Sequence, residues 1–204
     1  NTIIVRNSAE TFGGGAAYST LVSCSVAGNR TNGEMGGGLY LGQAVNTVVW
    51  GNEANGTTDE YSGGSFTNCV TSPLPSGAGN RSGDPRLVDA VNGDVRLRTG
   101  SPLKDAGNPL FVAGTFDVFG NTRVQGAKVD VGAIEGGEVA GHVVSVRVNG
   151  IGEVLPRTAV VADGGSVTLS AIETQRPFSH FLLYGLKMPG TTLPLTELTS
   201  DLTV

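Results

Sequence analysis

Apolar residues in the first third of the chain come in short groups separated by glycine and asparagine, and the groups recur. Residues 12–29 read FGGGAAYSTLVSCSVAGN and residues 35–52 read MGGGLYLGQAVNTVVWGN, equal in length, each with a glycine triplet near its start and Gly-Asn at its end. Gly13 and Gly36, Val22 and Val45, Val26 and Val49, and Asn29 and Asn52 coincide at an offset of 23 residues. Self-similarity at a fixed stride marks a repeat architecture and overrides any element-by-element reading. Equivalent segments begin at Asn1, Ser23, Asn46 and Asn68, at steps of 22, 23 and 22 residues. A strand of a few residues plus turns at that stride predicts one rung of a right-handed parallel β-helix, over residues 1–83.

Equivalent residues of such a stack lie about 4.8 Å apart, in columns. Ile4, Val26 and Val49 are predicted to form an inner aliphatic column. Asn7, Asn29 and Asn52 are predicted to form a turn column in the left-handed conformation, which asparagine tolerates. The glycine triplets supply tight corners. Cys24 and Cys69 share a column with Thr2 and Thr47, two rungs apart. Their Cα atoms would then be about 9–10 Å from each other, beyond the roughly 7 Å reach of a disulfide. Two reduced, buried thiols are expected, with no metal or redox role, since no histidine is near them in the sequence.

The triplet of GGGLY followed by Val49-Trp50-Gly51-Asn52 resembles the GGA[ILV] and FxxN pairs of bacterial polymorphic outer-membrane-protein repeats. Gly38 stands where that pattern has alanine, and Val49 where it has phenylalanine. The resemblance implies a stacked-repeat fold and a surface location.

Composition narrows the class further. Glycine accounts for 32 of 204 residues, about twice the usual share of roughly 7%. Helix is disfavoured at that density, because an interior glycine costs about 1 kcal/mol against alanine. With Val, Leu, Ile and Thr spread between turn residues, the chain reads as all-β. Net charge is −5 with no basic run, the opposite of a nucleic-acid-binding footprint. No apolar run approaches the ~18 residues of a membrane span. The chain starts inside a repeat, which predicts a piece of a longer protein with any export signal upstream.

Past Ser72 the repeat gives way to a turn-rich loop, then to a series of short motifs. These are Asp84-Pro85-Arg86-Leu87, Gly93-Asp94-Val95-Arg96-Leu97, Gly100-Ser101-Pro102-Leu103-Lys104-Asp105-Ala106-Gly107-Asn108, Asp117-Val118-Phe119-Gly120-Asn121-Thr122-Arg123 and Val129-Asp130-Val131-Gly132-Ala133-Ile134-Glu135. Their order is similar to the choice-of-anchor Q domain of bacterial surface proteins. That resemblance implies a segment, residues 84–137, that caps the C-terminal end of a secreted parallel β-helix. Asp105, Asp117 and Asp130 sit beside turn glycines, where carboxylates bond nearby backbone N–H groups. Arg86, Arg96 and Arg123 are candidate bidentate partners for them. Asp117, Asp130 and Glu135 could alternatively offer hard oxygen ligands to Ca2+, although their spacing fits no known calcium loop. No other cofactor is implied.

Residues 136–141 read as a linker, and alternation resumes at His142. Asn149-Gly150 between alternating strands is a hairpin signal, and Asp163-Gly164-Gly165 leads into a further strand over residues 166–171. A strand is also expected over residues 177–184. The line VSVRVNGIGEVLP, then DGGSVTLSA, is similar to bacterial surface repeats of the internalin B-repeat kind, with Tyr184 where those often carry tryptophan. Residues 138–204 are therefore expected to form a small antiparallel β or β-grasp-like module, a spacer or adhesive segment cut short at its end. His142 and His180, the only histidines, have no sequence neighbours that would complete a triad or a metal site.

Parallel β-helices serve carbohydrate cleavage or display. Cleavage needs paired carboxylates, or a base beside an acid-bound calcium. Residues 1–83 hold Glu10, Glu34, Glu53, Asp59 and Glu60 as acids, Arg6, Arg30 and Arg81 as bases, and no lysine. Glu10, Glu34 and the Asp59/Glu60 pair are expected in loops near the triplet corners, lining at most a shallow acidic groove. The sequence thus assigns no catalytic, cofactor or metal residue here. It predicts a non-catalytic secreted or cell-surface β-helix protein, an adhesin, stalk or glycan-binding scaffold whose partner is a polysaccharide or host-surface glycan. The alternative is the C-terminal part of a polysaccharide lyase or glycoside hydrolase whose site lies upstream.

Overall fold

The computed structural model describes residues 1–146, 153–162 and 166–172, together with the strand residues 182–183, 187–188, 191–192, 196–197 and 202–203. The protein is all-β, with no helix among the described residues. It divides into two compact units, Asn1–Val139 and Ala140–Val204.

In the first unit the repeats carry equivalent short strands. The first holds β1 (Ile3–Val5), β2 (Ser8–Ala9), β3 (Ala16–Ala17) and β4 (Thr20–Val22); the second holds β5 (Ser25–Ala27), β6 (Arg30–Thr31), β7 (Leu39–Tyr40) and β8 (Gln43–Val45). The third holds β9 (Val48–Trp50), β10 (Glu53–Ala54), β11 (Thr57–Thr58), β12 (Tyr61–Ser62) and β13 (Ser65–Thr67). Strands pair in parallel with their own counterparts: β1 with β5 and β5 with β9, β2 with β6 and β6 with β10, β3 with β7 and β7 with β12, β4 with β8 and β8 with β13. The register is the one the 23-residue self-match requires, with Ile4 opposite Val26 and Val26 opposite Val49. Only β11 departs, folding back antiparallel on β10 through the Asn55-Gly56 turn.

Three of these sheets share one core. Val26, Val49, Leu21, Ala44, Leu39 and Phe66 meet there with both cysteines. Val26 and Val49 are fully buried, each contributing about 1.5–3 kcal/mol relative to an exposed side chain. Cys24 and Cys69 are free thiols, and burial pushes the Cys69 thiol up to about 11.

Corners between strands repeat in columns of positive φ: Gly13 and Gly36; Tyr18, Leu41 and Gly63; Ser23, Asn46 and Asn68; Arg6, Gly28 and Gly51. The asparagine column was expected at such corners, but Asn7, Asn29 and Asn52 have negative φ; the residue before each of them makes the left-handed turn. Within the triplets only the first glycine needs positive φ. The second is required by crowding, since a Cβ on Gly14 would collide with the carbonyl oxygens of Arg30 and Gly37.

Residues 84–137 were expected to cap the end of the stack, yet their contacts run along its side. Leu87, Val95, Leu97, Leu103, Val131 and Ile134 pack with Ala27, Val48 and Val70 and against Ile3, Val5 and Trp50, covering the other face of the β1–β5–β9 sheet. The Ser25 hydroxyl accepts the Ala133 N–H at 3.0 Å, and Asn46 exchanges hydrogen bonds with the backbone of Asn108. Within this segment β14 (Leu87–Asp89) and β15 (Asp94–Leu97) form an antiparallel pair. The last repeat is instead followed by a loop that folds onto it: Arg81 forms a bridge with Val70, and the Asn80 side chain accepts the Cys69 N–H at 2.9 Å.

In the second unit β16 (His142–Ser145) pairs antiparallel with β18 (Thr158–Val161), and β17 (Glu153–Leu155) with β19 (Thr168–Ile172). Val144, Val146 and Leu169 are buried. The Asn149-Gly150 hairpin, the Asp163-Gly164-Gly165 turn, His180 and Tyr184 lie outside the described residues, as does the strand expected over residues 177–184 apart from Leu182–Leu183.

Candidate functional site

Chemistry-bearing side chains of the first unit fall into three groups. The first is a buried polar ladder between β1–β5–β9 and β2–β6–β10. The Asn29 Oδ1 accepts both the backbone N–H and the side-chain N–H of Asn7, at 2.9 and 3.0 Å. The Asn52 Oδ1 accepts the same two donors of Asn29, again at 2.9 and 3.0 Å. Each side-chain amide also donates to a strand carbonyl, Asn29 to Ile4 and Asn52 to Val26. Glu60 ends the ladder, accepting the Gly51 N–H at 2.7 Å and both the backbone and side-chain N–H of Asn52 at 3.0 and 2.7 Å.

Glu60 was expected in a loop groove beside Asp59, but it is 2% exposed and faces inward. The stacked register brings it under Asn52, which needs an acceptor once no fourth asparagine follows. Burial pushes its carboxyl up to about 7, with the three N–H donors opposing that shift and the Asp59 charge adding to it. Of the other expected groove acids, Asp59 accepts the Gly36 N–H at 3.0 Å, Glu10 accepts the Asn32 amide at 3.1 Å, and Glu34 is exposed.

The second group surrounds Arg123, which is 1% exposed. It donates to the Asp130 and Gly132 carbonyls and faces Glu135 at 3.6 Å. Desolvation lowers its pKa, while the charges of Glu135, Asp130 and Asp117 oppose the shift. Burial leads in raising Glu135, against the N–H donors of Asp130 and Gln125 and the charge of Arg123. Asp117 behaves oppositely: desolvation would raise it, but N–H donors from Glu135, Asn121 and Phe119 outweigh that and hold the carboxyl below its ordinary value.

Asp117 thus acts as a turn cap. Asp130 likewise accepts the Asp105 and Gly136 N–H groups, while Asp105 reaches across to Lys128 rather than closing its own turn. The expected aspartate–arginine pairing is different in detail. Arg96 pairs bidentately with Asp94, Arg86 reaches the Gly100 carbonyl, and Arg123 faces Glu135. The three acids considered for Ca2+, Asp117, Asp130 and Glu135, therefore have N–H groups, and in one case a guanidinium, aimed at their oxygens. Beside them a polar cleft of about 260 Å³ is lined by Lys104, Asp105, Gln125, Asp130 and Glu135. Its lysine is held by Glu138 at 2.9 Å.

The third group is aromatic and faces solvent. Phe12 stacks on Tyr40 with centroids 4.4 Å apart, and Tyr18 stands edge-on to both, at 6.1 and 5.5 Å. Tyr18 is 67% exposed, and Met35 and Leu41 are exposed as well. Register makes the face contiguous, because Phe12 bridges Met35 and the Tyr18 N–H bonds the Tyr40 carbonyl. Partial desolvation and the neighbouring Tyr40 phenol raise the Tyr18 pKa. The sequence carried a signal for this face that the repeat reading passed over: both triplets are flanked by large apolar or aromatic residues, Phe12 and Tyr18 around one, Met35 and Tyr40 around the other.

Among the described residues no helix is long and apolar enough to cross a membrane, which leaves β-barrels unaddressed. Comparison with family models, curated proteins and solved structures finds no match to this chain.

Proposed function

We propose that this chain belongs to a secreted or surface-anchored right-handed parallel β-helix that displays binding surfaces and performs no chemistry of its own. The observation that carries this reading is the pairing of equivalent residues at 22 or 23 positions' distance in four parallel sheets, three of them around one core. Such a stack is a scaffold whose outer face can vary while its columns stay constant. The carboxylates support it too: Glu60, Asp117, Asp130 and Glu135 are committed to backbone N–H groups, where a general acid or nucleophile needs an oxygen free for substrate. In this reading residues 84–137 are a choice-of-anchor Q-like element fastening the stack, and residues 138–204 a spacer module like the internalin B-repeat.

The test combines an assay for cleavage of acidic and neutral polysaccharides with protease shaving of intact producing cells. Display predicts no new reducing ends or unsaturated products, and loss of the protein from cells when external protease is added. Turnover by this chain, or full protection from external protease, would overturn the reading.

A further inference from the structure

We infer that the Phe12–Tyr18–Tyr40 face is a binding site for an uncharged polysaccharide. The inference rests on the display reading and assigns a ligand class and residues to it.

Strain and exposure coincide at Tyr18. Its φ of 51° is a conformation that costs an L-residue roughly 1–2 kcal/mol, and the ring it projects is two-thirds in water. The fold does not demand either feature, since the equivalent corner one repeat past Leu41 is Gly63, which makes the same turn without a side chain. A strained, solvent-facing aromatic is a reason to look for a ligand. The rings are also held in place before anything binds. Phe12 and Tyr40 are half-buried, stacked on each other and braced by Tyr18, so little rotamer freedom remains to be lost on binding.

The chemistry of the face fits a pyranose. A sugar ring offers an apolar C–H surface edged by hydroxyls; this face offers aromatic surface edged by the Tyr18 and Tyr40 phenols. Glu10 and Asn32, exposed and bonded to each other, lie two residues before Phe12 and three before Met35, and Glu34 is next to Met35. Charge then selects among sugars. Apart from the buried Glu60, residues 7–67 contain four acids and a single base, Arg30, so a uronate or sulfated chain would be repelled, with no cation cluster to hold it. Size argues against a protein partner, because a stable protein interface uses about 20–30 residues a side and this face offers five.

Affinity electrophoresis through gels containing xyloglucan, galactomannan, hydroxyethyl cellulose or polygalacturonate tests the assignment, using the whole chain. Retardation is expected in at least one of the three uncharged polymers and not in polygalacturonate. Tyr18→Ala and Tyr40→Ala should each weaken it at least tenfold while leaving the thermal unfolding of the protein cooperative. Phe119→Ala removes a ring that is 63% exposed on a different segment and should retain wild-type retardation. No retardation in any uncharged polymer, stronger retardation in polygalacturonate, or equal loss in Phe119→Ala would each overturn the inference. Cleavage of a retarding polymer would instead defeat the display reading and leave the binding site standing.

Discussion

The repeats and the segment that covers them bury polar groups by different means. In residues 1–71 satisfaction is copied: the amide of one asparagine serves the next at 22- and 23-residue intervals, and a single carboxylate, Glu60, ends the series. In residues 84–139 buried polar groups are met by partners that recur nowhere else along the chain, and the Arg123 Nε and Nη1 atoms have no hydrogen-bond partner at all. Arg123, Glu135, Asp130 and Asp117 interlock with backbone groups of the same segment, while Ser25 and Asn46 join it to the repeats across 108 and 62 residues. A copied solution degrades by steps when one member is lost; a single-use solution has no neighbour to share the loss.

The largest effect is expected at Arg123→Met, which leaves Glu135 buried without its cation and two carbonyls without a donor. Breaking such a pair costs about 3–5 kcal/mol, readable as a lower urea midpoint. Arg123→Met combined with Glu135→Gln should cost less than the two single losses added together; simple additivity would show that the two side chains act independently.

Next comes the pH dependence of the ladder's end. Glu60 has its folded pKa raised to about 7 from an ordinary 4.5. Between those values the folded protein keeps a proton that the unfolded chain has released, so stability falls as pH rises through that window and is greatest below it. The full loss is about 3 kcal/mol at 1.36 kcal/mol per unit. The difference between wild type and Glu60→Gln, followed by thermal melts from pH 4 to 8, should therefore shift steadily; a constant difference would remove Glu60 as the titrating group. Asp117 supplies the opposite sign, its lowered pKa giving stability present at neutral pH and lost as pH falls through the acid range.

A smaller effect is expected at Asn52→Ala. It strips buried partners from Asn29 and Glu60 and should cost on the order of 2–3 kcal/mol, at about 1–3 kcal/mol per unsatisfied group. Smallest is Asn7→Ala, at the exposed start of the same ladder, where water replaces the lost bonds and the change should stay within about 0.5 kcal/mol. If Asn7→Ala cost as much as Asn52→Ala, the ladder would be behaving as one unit and the step-by-step picture would fail.

Legibility in the sequence follows the same division. The stride, the aliphatic column of Ile4, Val26 and Val49, and two free, buried thiols could be read because a repeat shows each position several times. Asn7, Asn29 and Asn52 form a column, but the residue before each (Arg6, Gly28 and Gly51) takes the left-handed turn and turns the asparagine inward, a choice that depends on which neighbour takes the corner. Glu60 looked like one more loop acid, since nothing in its local sequence says that it lies beneath Asn52. The aromatic face was visible only as residues flanking the triplets, and stacking across two strands made it a surface.

The all-β class, the 22–23-residue period and the membership of the columns follow from local sequence, because periodic burial and turn chemistry are local and are written again in each repeat. Tertiary structure decided where residues 84–139 lie, which carboxylates are committed to N–H donors, and that Phe12, Tyr18 and Tyr40 form one face. Those outcomes depend on contacts made once between residues far apart in the chain, and a contact made once leaves no period in the sequence to read.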